Sequence, residues 1–469
     1  MDNNLNLANL KQQLGDEVVV VMVPFQTQTH LDPFLQFACL IASYGLSVHY
    51  LSLPNYNNDT RSRATALNPS DLVKIHFHDL QMTTTPLDPD IPSEVPKHFH
   101  LMWNVCMRLR ESTTSFLRDI SSKSTRVVMI HDCLMSYNVQ DISSFHNAES
   151  YIFNPVISAF GMYCDHIFPI VGLPIPLEQQ LLQRLPSSEG WYCDEIMRIS
   201  SFLVQFIGNS SAGDINNTSK VMEGTNTFID LLGIGQNKKQ WAVGPVLRPI
   251  KKEKNRFPCL DWLDKQPPKS VLFVSYEILI SFSDEQIKEL AMGLELSKQK
   301  FIWLLNEPDN GDIYMKEDPY RKFEFHAGFE ERLNGIGLLL RDWAPQTEIL
   351  AHSSIGGFLS ACDWTACVET ITLGVPIIAW PTHSDHPKNG FLLTEILKTG
   401  LIIKEWDQKR DEVVTASTVD NVVRKLMASE EGDEIRKRAK ELGETVRQST
   451  EKGGVSRMEL DSFIEHITR

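Results

Sequence analysis

Short apolar runs bounded by proline, glycine and polar loops recur along the chain, with helical patterns between them. Residues 17–25, EVVVVMVPF, form a valine-rich run that stops at a proline, the pattern of a parallel strand buried on both faces. A polar loop of Gln26, Thr27, Gln28 and Thr29 follows, and apolar residues at helical spacing then run from Leu31 to Tyr44. LSVHYLSL reads as the next strand, and VKIHFHDL (73–80) and RVVMIHDCL (126–134) repeat the unit. SVLFVSY (270–276) opens a second series, continued by a helix over 284–300 and by FIWLL (301–305), GIGLLLRDW, IGGFLS and VPIIAWP. This alternation predicts an α/β protein with doubly wound parallel sheets, whose sites lie at the carboxyl ends of strands.

A chain of 469 residues is long enough for two such domains, each with its own core. GPVLRPIKKEKNRFP (244–258) is basic, proline-containing and non-periodic, so it reads as the linker. The expected division is a first domain over 1–245, a linker over 246–258 and a second domain over 259–445. Amphipathic helices close the chain, the last of them (446–469) placed to cross back onto the first domain.

The net charge of −15 argues against nucleic acid or an anionic membrane as partner. No apolar run approaches the roughly 18 residues of a membrane span, and the polar start is unlike a signal peptide. A cytoplasmic monomer acting on a small molecule is expected. Eight scattered cysteines form no CxxC pair, and no HExxH is present, so neither a disulfide framework nor a metal site is expected.

The most specific stretch runs from Trp343 to His386, WAPQTEILAHSSIGGFLSACDWTACVETITLGVPIIAWPTHSDH. It resembles the sugar-nucleotide signature of plant family-1 UDP-dependent glycosyltransferases, which reads WAPQ…GGF(L/V)(T/S)HCGWNS…E…GVP…WP…DQ. PFQTQTHLDPFLQFACLIASYG, GPV (244–246), CLDWLDKQPPKSVLFVSY and DEQIKELAMGLELSKQKFIW extend the similarity over nearly the whole chain. The opening and HDCLMSYNVQD resemble the zeatin O-glycosyltransferase branch. The resemblance implies a GT-B fold, two Rossmann-like domains facing across a cleft, with acceptor contacts mainly from the first and donor contacts mainly from the second.

His30 lies after the first strand, at the start of the following helix, and Asp132 follows RVVMIH. By resemblance they match the family's general base and the aspartate that orients it. The chemistry fits: a carboxylate on one imidazole nitrogen fixes the tautomer and stabilises the imidazolium formed when the other takes a proton. His131, one residue earlier, is a competing imidazole that alternation points to the opposite face. His49, His76 and His78 read as structural or exposed. Phe99, Met102, Trp103 and Phe153 are candidates to line an apolar acceptor cleft, with ordinary core as the other reading.

The resemblance also divides the signature. Trp343 would stack on uracil, Ala344 and Gln346 would position it, Glu369 would hold the ribose hydroxyls, and Asp385 would hold sugar hydroxyls. His386 replaces the usual glutamine, a change that accompanies a different sugar preference. The centre departs from the pattern: Ala361, Asp363, Thr365 and Ala366 stand where the family has histidine, glycine, asparagine and serine. Across the site, Glu277 and Ile278 replace the glycine and serine of an FGS turn. Each lost charge-assisted phosphate contact costs roughly 1.5–3 kcal/mol, and Asp363 at a helix N-terminus would satisfy N–H groups that otherwise attract phosphate.

The expectation drawn from this is a repurposed enzyme. Its His30–Asp132 pair would transfer protons in an isomerisation, elimination or cyclisation of a small, largely apolar metabolite or hormone, with no cofactor required. The alternative is an inverting UDP-sugar-dependent O-glycosyltransferase of the zeatin O-glucosyltransferase type, in which UDP-sugar is the donor. A second alternative is a non-catalytic metabolite binder.

Overall fold

The structure is a computed structural model. It describes residues 18–64, 69–85, 87, 89–93, 97–172, 174–224, 227–247, 257–276, 282–305, 325, 328–333, 335–341, 344–404 and 412–469. Two parallel sheets organise it. The first contains β1 (Val18–Val23), β2 (Ser47–Ser52), β3 (Ile75–Asp79), β4 (Arg126–Asp132), β5 (Ala148–Asn154), β6 (Ser211–Asn216) and β7 (Lys239–Ala242). Their order is β3-β2-β1-β4-β5-β6-β7, so the chain winds outward in both directions from β1 and β4.

Alternation along the central strand explains the two cores of this unit. Val20 and Met22 join the cluster under the Gln28–Ser43 helix, while Val19 and Val21 join the cluster on the opposite face. Leu31, Phe34, Leu35, Ala38, Ile41 and Ala42 place one buried stripe of that helix on the sheet at helical spacing.

The second sheet contains β8 (Val271–Ser275), β9 (Lys300–Leu304), β10 (Gly337–Leu340), β11 (Ile355–Ser360), β12 (Ile377–Ala379) and β13 (Gly400–Ile402). Its order is β10-β9-β8-β11-β12-β13. The Asp284–Ser297 and Ala416–Ala428 helices cross at Gly293, where an added Cβ would lie 2.4 Å from the Val419 side chain. Only glycine permits that approach.

The chain then returns to the first sheet. Leu460, Phe463, Ile464 and Ile467 of the Val455–Ile467 helix join the cluster that contains Val20 and Met22. Phe463 sets its ring edge against Tyr151 and Trp241, with centroids 5.4 and 5.1 Å away. The preceding helix, Glu430–Ser449, spans residues 445–446. Most of the expected linker, residues 248–256, lies outside the described residues.

Candidate active site

The first-sheet half of the site forms where β1 and β4 end side by side. Val23 of β1 pairs with His131 of β4, which brings the loop after β1 over the end of β4. Gln26 braces that loop: it donates to the Pro24 carbonyl at 2.8 Å and accepts from Ser52 Oγ at 2.6 Å. His30 follows in the first turn of the helix, with its ring edge on Phe25.

His30 Nδ1 lies 2.6 Å from Asp132 Oδ2. Asp132 is fully buried and His30 is 9% exposed. The other carboxylate oxygen, Oδ1, accepts the Leu134 N–H at 2.9 Å, because Asp132 also caps the short Cys133–Met135 turn. Both oxygens are engaged, so the carboxylate is fixed before any ligand arrives. An ionised carboxylate only accepts, which puts the proton on His30 Nδ1 and leaves Nε2 as the basic nitrogen.

His131 is a separate group. Its Nδ1 lies 2.9 Å from the Asp132 carbonyl, and burial pushes its pKa down to about 4. It is fully buried, as alternation along β4 predicts for the face opposite Asp132. His49, His76 and His78 pack together on β2 and β3, on the other side of β1 from β4.

The apolar acceptor candidates do not assemble into one wall. Phe153 is fully buried between Phe34 and Phe37, in the core under the Gln28–Ser43 helix. Trp103 is buried in the cluster on the other face of the sheet, its indole N–H donating to the Pro92 carbonyl at 2.9 Å. The sheet separates them, and both sit in core, the other reading the sequence offered for them. Met102 packs against the Trp103 cluster and lies 3.5 Å from Tyr56 Oη. The Phe99 side chain lies outside the described residues.

On the second sheet, the nucleoside candidates meet. Gln346 Nε2 donates to Glu369 Oε2 at 2.8 Å, and Thr347 Oγ1 donates to the other carboxylate oxygen. Ala344 is buried beside them. Trp343, Glu277 and Ile278 lie outside the described residues.

The altered centre forms a turn between β11 and the Trp364–Leu373 helix. Ala361 and Ala366 are buried, and Thr365 is half-buried. Cys362 adopts φ 69°, a left-handed conformation uncommon for a residue with a Cβ. Asp363 is the N-cap, accepting the Ala366 N–H at 2.9 Å. The cap bond to Ala366 takes up one first-turn donor of the four that a helix N-terminus offers. At its far end, Gly374 at φ +71° closes the helix.

Asp385 and His386 open the His386–Phe391 helix. Burial raises the Asp385 carboxyl to about 6, against the opposing hydrogen bond from Asn389. His386 packs against His383 with ring centroids 4.2 Å apart and the planes tilted by 37°, and it approaches Thr382 Oγ1 at 3.2 Å. Residues outside the sequence expectations join this helix and its neighbours to the first half of the chain. Lys388 pairs with Asp165 at 3.2 Å, both nearly fully buried, and Asp165 also accepts from Ser188 at 2.6 Å and Tyr192 at 3.0 Å. Arg184 clamps Glu395 through two bonds of 2.7 and 2.8 Å. The Trp364 indole N–H donates to the Asn217 carbonyl at 2.9 Å.

Comparisons with known proteins fit this arrangement. Residues 16–248 match a family described as glycosyltransferase, N-terminal domain. Residues 251–428 match UDP-glucoronosyl and UDP-glucosyl transferase, a match that runs through the altered centre. The chain is 42% identical to the zeatin O-xylosyltransferase of Phaseolus vulgaris over 97% of its own length and 100% of that protein's. It is also 42% identical to the zeatin O-glucosyltransferase of Phaseolus lunatus, over 97% of each. A Siraitia grosvenorii transferase solved in complex with UDP has a TM-score of 0.78 at 25% identity, covering 97% of this chain and 100% of that one.

These findings overturn the expectation of a donor-independent or non-catalytic protein. Near-full-length likeness to two sugar transferases supports UDP-sugar-dependent transfer, and nothing in the comparisons supports loss of the donor. The physical reason lies in how affinity is distributed. Weakening a diphosphate contact by roughly 1.5–3 kcal/mol lowers affinity about ten- to hundredfold, a loss that does not by itself abolish binding of a ligand with many other contacts. The chain is a two-sheet GT-B glycosyltransferase, and it belongs to the plant family-1 UDP-dependent glycosyltransferases.

Proposed function

We propose that the chain is an inverting O-glycosyltransferase of the zeatin O-glucosyltransferase type, moving a sugar from a UDP-sugar to a hydroxyl of a small, largely apolar acceptor. One observation carries the mechanism: a fully buried carboxylate 2.6 Å from His30 Nδ1, at the carboxyl ends of β1 and β4. His30 Nε2 takes the acceptor's hydroxyl proton as its oxygen attacks the anomeric carbon. The bond from that carbon to the UDP oxygen breaks on the opposite side, so configuration inverts and UDP leaves with the electron pair. Asp132 holds the ring and stabilises the imidazolium.

On the donor side, Trp343, Ala344 and Gln346 would hold the base, Glu369 the ribose, and Asp385 with His386 the sugar. The Glu369 carboxylate fits this role, because Gln346 and Thr347 aim it. Residues 1–245 would supply the acceptor side and 259–445 the donor side, in a cytoplasmic monomer. No group of His, Cys, Asp and Glu suited to a metal ion occurs among the described residues.

Donor titration tests the reading. UDP or UDP-glucose at ten times its Kd should raise unfolding stability by about 1.4 kcal/mol, visible as a higher melting temperature. An unchanged melting temperature at millimolar UDP, UDP-glucose and UDP-xylose contradicts it.

A further inference from the structure

Asn389 is completely buried and sits where three parts of the molecule meet. Its Nδ2 donates to Asp385 Oδ2 at 2.7 Å and to the Cys362 carbonyl at 3.0 Å. Its Oδ1 accepts from Ser158 Oγ at 2.8 Å, a residue 231 positions earlier in the chain. The orientation of the amide is forced. Asp385 and the Cys362 carbonyl present acceptors, while Ser158 Oγ already accepts the Gly161 N–H at 2.9 Å and so has its own proton to give. Asn389 thereby uses both protons and its oxygen, and none of the three partners can exchange with another.

We propose that Asn389 is a positioning residue for the donor sugar: it fixes the Asp385 carboxylate relative to the Cys362–Asp363 turn, and Ser158 locks it from the first half of the chain. This deepens the proposed function and rests on its reading of Asp385 as the sugar-hydroxyl acceptor. The geometry supports three separate consequences. Asp385 opens the short His386–Phe391 helix, and an i, i+4 bond from Asn389 restrains its side chain on that helix. The Cys362 bond ties the carboxylate to the start of the turn that faces the diphosphate. The Ser158 bond makes the setting depend on the docking of the two halves, because Ser158 caps the Ala159–Met162 helix, which Glu223 also holds through the Ala159 and Phe160 N–H groups at 2.9 and 2.6 Å.

UDP and UDP-sugar separate this role from a merely structural one, because UDP has no sugar for Asp385 to hold. Asn389→Ala, Ser158→Ala and Asp385→Asn are assayed with the full chain for kcat and KM of UDP-glucose and for inhibition by UDP. Asn389→Ala is expected to lower kcat/KM for UDP-glucose about tenfold or more, with the UDP inhibition constant within about threefold of wild type. Ser158→Ala should show the same split at about threefold. Asp385→Asn should show the largest loss with UDP inhibition retained.

If Asp385→Asn shows that loss while Asn389→Ala matches wild type, the positioning role is overturned and the site reading stands. If Asp385→Asn leaves UDP-glucose kinetics unchanged, the reading of Asp385 falls, and the proposal with it. Parallel loss of UDP and UDP-glucose in Asn389→Ala also overturns it. Should Asn389→Ala fail to fold, Ser158→Ala carries the test: wild-type constants for both ligands overturn the proposal.

Discussion

The His30 imidazole and the Asp132 carboxylate, 102 positions apart in sequence, meet through a 2.6 Å contact between Nδ1 and Oδ2. Two adjacent parallel strands, β1 and β4, bring them there. Asp132→Asn should preserve the contact but reverse its polarity, since an amide nitrogen can donate to Nδ1 and leave Nε2 protonated. The expected loss in kcat is about 10²–10⁴-fold for Asp132→Asn and for His30→Ala, with little change in KM for the donor. Wild-type turnover in either variant removes the pair from the mechanism.

Asp363 places a carboxylate at the N-terminus of the Trp364–Leu373 helix, which the proposed function sets against the diphosphate. Asp363→Asn keeps an N-cap oxygen for the Ala366 N–H and removes the charge. UDP binding should tighten by about three- to tenfold at low ionic strength, and the gain should shrink as salt rises. Calorimetric titration at two salt concentrations reads this directly; equal affinity in variant and wild type places the carboxylate out of reach of the phosphates.

Lys388 and Asp165 form a buried ion pair between the two halves of the chain. Removing one partner of such a pair strands the other charge, at a cost of about 3–5 kcal/mol. Lys388→Met should therefore lower the unfolding midpoint sharply, and Lys388→Met with Asp165→Leu should recover part of the loss. An unchanged midpoint in Lys388→Met contradicts the placement of this pair.

His49 packs on His78, with His49 Nδ1 2.9 Å from His78 Nε2, and beside His76 and Phe116. Burial first, then these two imidazoles, push its pKa down to about 4. The unfolded chain binds this proton near pH 6.5, well before the folded one does. Stability from this group is therefore complete above about 6.5 and falls as pH drops towards 4. Wild type should lose about 1 kcal/mol more over that range than His49→Gln, after allowing for solvent screening. Identical pH profiles for the two proteins count against the shift.

Sequence pattern revealed the elements whose burial is simple. The valine run of β1 and the apolar stretches of β4 (Val127–Ile130), β8 (Val271–Val274) and β11 (Phe358–Leu359) stand out, and the helix after β1 repeats at helical spacing. β6 (SAGDIN) and β7 (KQWA) were not visible, because their polar side chains pair with one another: Gln240 bridges Asp214 and Asn216 at 3.1 and 2.9 Å. Tertiary pairing, not hydropathy, makes them strands. His30 and Asp132 were legible from the strand-end rule together with the family resemblance. Asn389 and Ser158 were not, since their relation exists only once the two halves dock. The altered centre misled for a related reason: a short motif reports the contacts it has lost and is silent about those that the rest of the fold retains.

Product analysis tests the central claim most directly. Purified protein is incubated with UDP-glucose or UDP-xylose and zeatin, and the product's linkage, its anomeric configuration and the UDP released are measured together. The account predicts one sugar attached through the acceptor hydroxyl with inverted configuration, one UDP formed per product, and neither formed by His30→Ala. An acceptor that is altered without gaining a sugar, or one that is untouched while no UDP appears, would contradict it.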